Sequence, residues 1–512
     1  MMPHQTLPAS SSGPTESDAL LGTPDYEAQL QYIPESARTR KVNGQFWIWA
    51  GANIAPINWV LGALGIQLGL GFADTVTVLV IGNIIGMGVF GFFVLLGQRT
   101  GATAMVLGRA PFGRRGNYLP STIQALLVIG WCAINTWVVL DLVMALIAQL
   151  GWVNPHADNY GWKIGVATFI MVVQVFIAWL GYKAIAAFER WSVPFTLAIL
   201  AVMSFVAWFG MNINWGYAGQ SGHILEGGPR IAAMTAVMTV IGIGWGITWF
   251  TYAADYSRFV SKSVPKSKLY WYSVFGQLIP TVWLGILGAT LATKSATADP
   301  GQLIVENYGA LAIPVLLLVL HGPIATNILN VYTFSMATQA LDIKVSRKNL
   351  NLFVGVFSLI LLIVLIFQAG FASTVDTWLG AIVAWVAAWA GVMLVHYYWL
   401  DKKYPINVDR LFDPIGTRRV IEINWAGMIA FLVGIFATWL FMYGSFPVMQ
   451  GWVATALGGW DFSWLAGGLA SAIIYAFLGP LVHRKCYLAT LSERGSSKTE
   501  SAAGPVAEHE VM

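Results

Sequence analysis

Two residues in the middle of one apolar stretch have side chains suited to a flat, polar ligand. Trp131 and Asn135 are four residues apart, so on a helix they lie one above the other on a single face. An indole stacks on a planar heterocycle, at about 1–3 kcal/mol for a nucleobase, and a carboxamide matches the donors and acceptors on its edge. The alternative is a tryptophan of the interfacial belts, since the chain has 24 of them. The position of Trp131 in mid-stretch favours ligand binding.

Two further apolar stretches carry residues of the same kinds. Trp245 and Trp249 are also four apart, within a glycine-rich run. Another stretch contains Thr326 and Asn327, shortly after a proline. Threonine and asparagine in mid-membrane bind substrate or cation, or they form interhelical hydrogen bonds worth less than about 2 kcal/mol each. Asn327 is the stronger candidate for a substrate ligand, because a carboxamide both donates and accepts, as a nucleobase edge does.

The elements that must position these residues are membrane helices. The chain has 512 residues, of which 57% are apolar and only 10% charged, whereas a soluble protein carries about a quarter charged residues. Runs of about 20 apolar residues, the length that crosses a bilayer, recur along the chain with short polar gaps. We count twelve such runs and number them segments 1 to 12. Segment 3 holds Trp131, segment 6 holds Trp245 and segment 8 holds Asn327.

Segments 1 and 6 are interrupted in mid-membrane. Segment 1 contains Asn53, Pro56 and Asn58, and segment 6 contains the glycine-rich run. Such breaks are tolerated in a bilayer only where the freed backbone groups line a cavity or bind something. Close packing of small residues is the structural alternative for either break alone. Two breaks five segments apart instead indicate an inverted repeat with a substrate site at the broken helices.

The predicted fold is therefore an all-α polytopic membrane protein of twelve transmembrane helices. Helices 1–10 form a five-plus-five inverted repeat with discontinuous helices 1 and 6, and two extra helices follow at the C-terminal end. The predicted regions are a disordered tail over 1–41, a transport core over 42–400, helices 11 and 12 over 401–486, and a second disordered tail over 487–512.

Basic residues orient this bundle. If the N-terminus is cytoplasmic, only Lys163, Arg230 and Lys294 of the 28 lysine and arginine residues fall outside. Both termini are therefore predicted to be cytoplasmic, in a plasma or inner membrane. The net charge of +4 is explained by this topology, and no nucleic-acid partner is expected.

Three motifs together resemble those of the nucleobase–cation symport family, which contains purine/cytosine permeases and hydantoin and allantoin carriers. They are Gly-Trp-x-x-x-Asn at 130–135, Trp-x-x-Tyr-Ala-Ala-Asp-Tyr at 249–256 and Thr-Asn-x-x-Asn-x-Tyr at 326–332. The resemblance runs from about residue 40 to about residue 400. It implies a small heterocyclic substrate held between segments 1, 3, 6 and 8.

The same resemblance implies a role for each site residue. Trp131 and Trp249 would cover the two faces of the ring, with Trp245 as the alternate to Trp249. Asn135 and Asn327 would bind the ring edge, and Thr326 lies beside them. The backbone around three residues of segment 1 would close the pocket: Asn53, Ile54 and Ala55.

The resemblance also locates a coupling ion between segments 1 and 8. Sodium-coupled members of the family hold the ion with backbone carbonyls and hydroxyls, and the matching positions here are Ala50, Asn53, Gly322, Ala325 and Thr326. A hard cation takes about six oxygens, and Ala325 stands where one of two adjacent hydroxyls is expected. We therefore expect coupling to protons rather than to sodium.

A coupled proton calls for titratable residues in the membrane, which are functional candidates by default. Glu189 at the start of segment 5 and His321 in segment 8 are the candidates for coupling. The alternative for Glu189 is an interface residue paired with its neighbour Arg190.

The predicted function is import of a nucleobase, cytosine or a purine, by proton symport with alternating access. The alternative keeps the fold but carries hydantoin, allantoin or another small heterocycle with sodium. A membrane enzyme or sensor is the remote alternative, because the sequence shows no cluster of titratable or nucleophilic residues at membrane depth. No cofactor is expected, and no metal beyond a possible sodium ion. The sequence leaves the oligomeric state open, a monomer included.

Overall fold

A computed structural model of the chain contains all twelve segments as helices. It describes residues 32–502 except 181, 296, 344, 369, 406, 418, 419 and 445, and only the backbone of residues 178, 180, 182–193, 310, 318, 321, 325, 328, 347 and 485–502. Within these residues nine helices are long and apolar enough to cross a membrane, two shorter apolar helices belong to segments 5 and 11, and segment 1 is split in two.

Each predicted segment corresponds to a helix or a pair of helices. Segments 1–6 are Val42–Asn53 with Pro56–Gln67, Phe72–Thr100, Tyr118–Gln149, Tyr160–Leu180, Tyr182–Phe205, and Gly227–Val237 with its continuation to Ser257. Segments 7–12 are Lys266–Ser295, Ala312–Val319 with His321–Gln339, Arg347–Gln368, Phe371–Val395, Trp425–Leu440 and Ser463–Ala502.

Segment 1 is broken where the sequence predicts. Its first helix ends at Asn53, and Ala55 is extended, with φ −143° and ψ 150°, before Pro56 starts the second helix. Proline favours an extended residue before it and fits the first helical position, where no N–H is needed. The side chain of Asn58 donates to the carbonyl of Asn53 at 2.7 Å. The break is therefore stabilised by a polar side chain of its own segment.

Segment 6 departs from α-helical geometry more mildly. A π-helical stretch covers Met238–Ile243, an α-helix Gly244–Thr248 follows, and a turn at Trp249 precedes the helix Phe250–Ser257. Trp249 stays near the helical region, with φ −89° and ψ −6°. The predicted discontinuity is thus a bulge and a turn rather than an unwound stretch. Glycine permits a helix to open without forcing it to, whereas the proline of segment 1 disfavours the helical conformation of the residue before it.

Segment 7 packs along both halves of segment 1. At the second half the backbones touch without intervening side chains: a Cβ on Gly288 would overlap the carbonyl of Trp59, and one on Gly62 would overlap the carbonyl of Gly285. Small residues allow such close approach between membrane helices. Segments 11 and 12 pack on each other and on segment 10, on the outside of this arrangement.

The structure describes part of each terminal region. Residues 32–41 belong to the folded part, because buried Arg38 donates to the carbonyls of Ile33 at 2.8 Å and Gln98 at 2.6 Å and so anchors this stretch. At the other end the helix Ser463–Ala502 continues beyond residue 487. The remaining tail residues, 1–31 and 503–512, lie outside the described residues.

A cluster of charged residues joins the loop after segment 2 to the end of segment 8. Asp342 accepts hydrogen bonds from Arg114 at 2.7 Å, from Arg109 at 3.1 Å and from the hydroxyl of Tyr118 at 2.7 Å. Burial raises the pKa of Asp342, but the hydrogen bonds from Arg114 and Tyr118 and the charges of both arginines outweigh it. The pKa of this carboxyl is therefore lowered.

We expect Asp342→Asn to lower the free energy of unfolding by about 2 kcal/mol at neutral pH. The substitution removes the carboxylate that pairs with buried Arg109 and partly exposed Arg114. The loss stays below the usual range for buried pairs because Asp342 is partly exposed. A lowered carboxyl pKa stabilises the folded state above the pKa of the unfolded chain, and that contribution is lost as the pH falls through the folded value. Wild type and variant should thus converge in acid.

Thermal melting in detergent over a series of decreasing pH values measures this convergence. The control is Glu422→Gln in the exposed pair with Arg115, where little change is expected. A stability difference for Asp342→Asn that persists unchanged in acid would contradict the role given to its charge.

Candidate functional site

Asn53 connects the two interrupted segments. Its side-chain oxygen accepts from the indole Nε1 of Trp245 at 3.1 Å and from the hydroxyl of Thr281 at 3.0 Å. Its amide donates to the carbonyl of Trp49 at 2.9 Å, and none of Asn53 is exposed. The sequence pointed to the backbone of Asn53, but its side-chain link to segments 6 and 7 was missed. The spacing of residues within one segment does not indicate a hydrogen-bond partner on another segment.

The three tryptophans selected from the sequence lie together. The ring centroids of Trp131 and Trp245 are 5.7 Å apart at 85°, and those of Trp245 and Trp249 are 6.1 Å apart at 80°. Trp245 therefore contacts both of the rings to which the resemblance assigns the substrate faces. Its own N–H is bonded to segment 1, so Trp245 links the two interrupted segments as well.

Two of these tryptophans and Asn135 carry buried polar atoms without a partner. The buried indole N–H groups of Trp131 and Trp249 have no hydrogen-bond partner among the described residues, and neither does the side-chain oxygen of Asn135. A buried polar group without a partner costs about 1–3 kcal/mol. The cluster thus offers two donors and one acceptor to a ligand that lies against the rings.

Asn327 faces segments 3 and 4. Its amide donates to Gln174 Oε1 at 2.9 Å, to the Thr136 hydroxyl at 3.2 Å and to the carbonyl of Cys132 at 3.2 Å. Its oxygen accepts from the amide of Asn330 at 3.2 Å. Both ends are thus bonded within the protein, which is the interhelical alternative considered for this residue. Gln174 was not selected from the sequence, although a single glutamine in an apolar segment could have indicated a buried hydrogen-bond partner.

Segment 8 touches the break of segment 1 at the positions matched to a cation. The Thr326 hydroxyl donates to the carbonyl of Gly322 at 3.1 Å and to that of Ala52 at 3.4 Å. A Cβ on Gly322 would lie 3.3 Å from the carbonyl oxygen of Ile54 and 3.3 Å from the Cα of Ala55. The structure therefore brings these predicted residues of the two segments together.

The carbonyls of segment 1 at this place already accept hydrogen bonds. That of Ala50 accepts from the backbone N–H of Ile54 at 2.7 Å, and that of Asn53 accepts from Asn58 at 2.7 Å. Three predicted coupling side chains lie outside the described residues: Glu189, His321 and Ala325.

The first helix is split, the sixth is bulged, and the buried side chain of Asn53 joins the two. This arrangement is that of a multi-pass membrane transporter. Residues 32–467 match the family profile described as permease for cytosine/purines, uracil, thiamine and allantoin. The chain belongs to this family of nucleobase–cation symport transporters. The resemblance found in the sequence motifs is thereby confirmed.

Relatives that resemble this chain over most of its length are permeases. A putative purine-cytosine permease, YxlA of Bacillus subtilis strain 168, is 26% identical over 89% of this chain and 96% of its own. The purine-cytosine permease FCY2 of Saccharomyces cerevisiae is 27% identical over 85% and 81%. The allantoin permease of Bacillus subtilis is 24% identical over 87% and 91%. The chain is accordingly a transporter and not an enzyme.

Solved structures confirm the fold. Mhp1, a nucleobase-cation-symport-1 family transporter in a closed conformation with bromovinylhydantoin bound, aligns with a TM-score of 0.69 and 17% identity over 89% of this chain and 95% of its own. Its inward-facing conformation gives a TM-score of 0.67 and 16% identity over 94% and 98%. These likenesses agree with the predicted inverted repeat of twelve transmembrane helices.

Proposed function

We propose that the protein imports a nucleobase, cytosine or a purine, across the plasma or inner membrane by proton symport with alternating access. The observation that carries the proposal is the set of unpaired groups on Trp131, Trp249 and Asn135. A planar base has π faces for the indole rings and donors and acceptors on its edge for the polar atoms. Relatives named purine-cytosine permeases support the same substrate class.

Proton coupling is favoured by the oxygens at the matched cation position. The carbonyls of Ala50, Asn53 and Gly322 each accept a hydrogen bond from a protein donor. Position 325 is alanine and supplies no hydroxyl. Each of these carbonyls keeps only one free lone pair for a cation. Since a hard cation takes about six oxygens, the missing hydroxyl at position 325 leaves a sodium ion one ligand short. Both termini are placed in the cytoplasm by the distribution of lysine and arginine.

A second candidate keeps the fold and the site but carries hydantoin or allantoin with sodium. It is favoured by the relative named allantoin permease and by the fold neighbour that binds bromovinylhydantoin. The polar groups on the edge of the ring distinguish the two candidate substrates, because a site built to hydrogen-bond such a group strongly rejects an analogue that lacks it.

Uptake into proteoliposomes tests the proposal. Radiolabelled cytosine, adenine, hypoxanthine, uracil and allantoin are offered first with a proton gradient and then with a sodium gradient. We expect one base to accumulate with protons alone; a potential of about 100 mV then supplies about 2.3 kcal/mol, or roughly 50-fold accumulation per charge. Accumulation that requires sodium would overturn the coupling, and uptake of allantoin alone would favour the second candidate.

The two asparagines are expected to behave differently when replaced by alanine. Asn135→Ala should weaken base binding about tenfold with an unchanged melting temperature, because it removes one acceptor at about 1–1.5 kcal/mol. Asn327→Ala should lower the melting temperature, because it removes a donor from Gln174 and leaves the buried amide of Asn330 without its acceptor. Titration of tryptophan fluorescence and thermal melting measure the two effects. Lost binding at full stability in Asn327→Ala would identify Asn327 as a substrate ligand.

A further inference from the structure

A groove of about 620 Å³ runs along segment 4, and none of the three clustered tryptophans lines it. Its lining residues are aliphatic, aromatic or glycine, and its volume lies within the range of about 300–1,000 Å³ that is usual for ligand sites. We call it the lateral groove. It is bounded by segment 4 from Gly161 to Val173, by Val139 and Val143 of segment 3, and by Leu320 and Ile324 of segment 8.

Two glycines of segment 4 leave this space open. Gly161 and Gly165 are four residues apart and share a helix face, and a Cβ on either would meet no atom of the described residues within 4 Å. The floor of the groove includes Ile170, of which only 5% is exposed. Apolar walls without contacting atoms lose dispersion energy, and water does not fill such a space. An apolar group is therefore the occupant that suits the groove.

The groove has the depth of one bilayer leaflet. From Gly161 to Val173 segment 4 rises about 18 Å at about 1.5 Å per residue, whereas half of a hydrocarbon core of about 30 Å is about 15 Å. At the Gly161 end Tyr160 begins the helix and Trp162 is 49% exposed, as is typical of aromatic residues at a membrane interface. The groove therefore runs from the interface to about the middle of the membrane, alongside the lipid tails.

A positive charge lies at the interfacial end of the groove. Lys163 follows Trp162, and at about 100° per residue it lies about 20° from Ile170 around the helix. Its ammonium lies 5.8 Å from the centre of the Tyr160 ring and pairs with no carboxylate among the described residues. A phosphate is the lipid group that complements such a charge.

Two carboxyls near Lys163 are engaged elsewhere. Asp141 and Asp299 are close enough to interact with its charge. Asp299 accepts from the backbone N–H of Gln302 at 2.8 Å and caps the helix Pro300–Tyr308. That helix packs on Asp141, since a Cβ on Gly301 would lie 2.6 Å from the Asp141 carbonyl oxygen. Both carboxyls thus belong to the contact of this helix with segment 3, and neither lines the groove.

We propose that the lateral groove binds one phospholipid, with an acyl chain along segment 4 and the phosphate at Lys163. In the proposed orientation of the chain this lipid belongs to the external leaflet. A second copy of the protein fits the groove less well, because a two-fold contact pairs the same patch of both copies, and a concave patch does not fill its own copy. The site is independent of which base or ion is carried.

The bound chain would support the helices that carry the polar network around Asn327. Val173 of the groove precedes Gln174, whose side-chain oxygen accepts from Asn327 at 2.9 Å and from the Thr136 hydroxyl at 3.0 Å. Val139 lies one helical turn after Thr136, and Ile324 lies two residues before Thr326. The lipid therefore packs behind segments 3, 4 and 8 at the level of their buried polar residues.

Photolabelling in liposomes tests the occupant directly. The probe is phosphatidylglycerol with a diazirine on one acyl chain, and labelled residues are identified by mass spectrometry. We expect Ile170 to be labelled at least as strongly as Val202 of segment 5, which is 56% exposed. Lipid that only surrounds the protein would label Val202 and leave buried Ile170 at least tenfold weaker, and that result would overturn the proposal.

Native mass spectrometry counts the lipid on the purified protein. The wild type should retain one phosphatidylglycerol in detergent, and Gly165→Phe, which fills the groove, should retain at least tenfold less. Gly44→Phe is the matched control, because it adds the same ring at a helical glycine where a Cβ likewise meets no described atom within 4 Å. Added phosphatidylglycerol should raise the melting temperature of the delipidated wild type and of this control, but not that of Gly165→Phe.

The headgroup contact is tested with a second lipid. Lys163→Gln should weaken retention of phosphatidylglycerol severalfold and leave that of diacylglycerol, which lacks the phosphate, unchanged. Equal retention of both lipids by wild type and Lys163→Gln would remove the phosphate from the proposal. Full retention by folded Gly165→Phe would place the lipid outside the groove and overturn the site. A lipid-free wild-type dimer cross-linked through segment 4 would assign the groove to a second copy instead.

Discussion

Trp131→Ala should lower nucleobase uptake about 100-fold, with normal amounts of folded protein in the membrane. The indole offers both a face for stacking and an unpaired N–H beside the aromatic cluster. Stacking on an aromatic side chain is worth about 1–3 kcal/mol per base, and about 2.7 kcal/mol corresponds to a 100-fold loss of affinity. Initial rates of uptake, normalised to the amount of folded transporter, measure the loss.

Two variants of segment 3 serve as controls for this result. Trp131→Phe keeps a ring without the N–H and should retain intermediate activity. Trp137→Ala removes an equally buried indole that packs on Phe371 instead of the cluster, and it should keep most of the uptake per folded molecule. Full uptake by folded Trp131→Ala would exclude this ring from the substrate site.

Asn53→Ala should abolish transport and also lower the melting temperature. It leaves the indole N–H of Trp245 and the hydroxyl of Thr281 without their buried acceptor, at about 1–3 kcal/mol each. The interrupted segments then lose the side-chain link between them. Uptake and thermal melting of the purified protein measure the two effects.

Thr281→Val provides the graded comparison, because it removes one donor and leaves the bond from Trp245 to Asn53 in place. Its uptake should fall severalfold rather than vanish. Normal uptake by Asn53→Ala would show that the link between segments 1 and 6 is dispensable for transport.

The architecture could be predicted because it depends on local properties of the sequence. The length and apolar character of a run decide whether it crosses a bilayer. Pro56 disfavours the helical conformation of Ala55, and together with two buried asparagines it indicated a break in the first helix. The glycines of segment 6 do not restrict the backbone in this way, so the sequence could not decide whether the helix unwinds or bulges. The bulge depends on close packing with segment 2, where a Cβ on Gly82 would lie 2.6 Å from Gly242.

The site was predictable only where a single helix face carries it. The four-residue spacing of Trp131 and Asn135 is visible in the sequence, and both residues are buried with unpaired side-chain atoms. The orientation of the Asn327 side chain depends on its hydrogen bond to Gln174, a residue of another segment. The register between segments 1 and 7 likewise depends on one bond between distant residues, which no spacing within a segment reveals.

Segment 7 holds both halves of segment 1 by close backbone contact. In the second half a Cβ on Gly288 would overlap the carbonyl of Trp59, and in the first half a Cβ on Gly276 would lie 2.6 Å from the carbonyl oxygen of Phe46. Neither half can slide along segment 7 without atoms overlapping. The break at Ala55 therefore interrupts the helix but does not release either of its ends, and the two half-helices are clamped to one common partner.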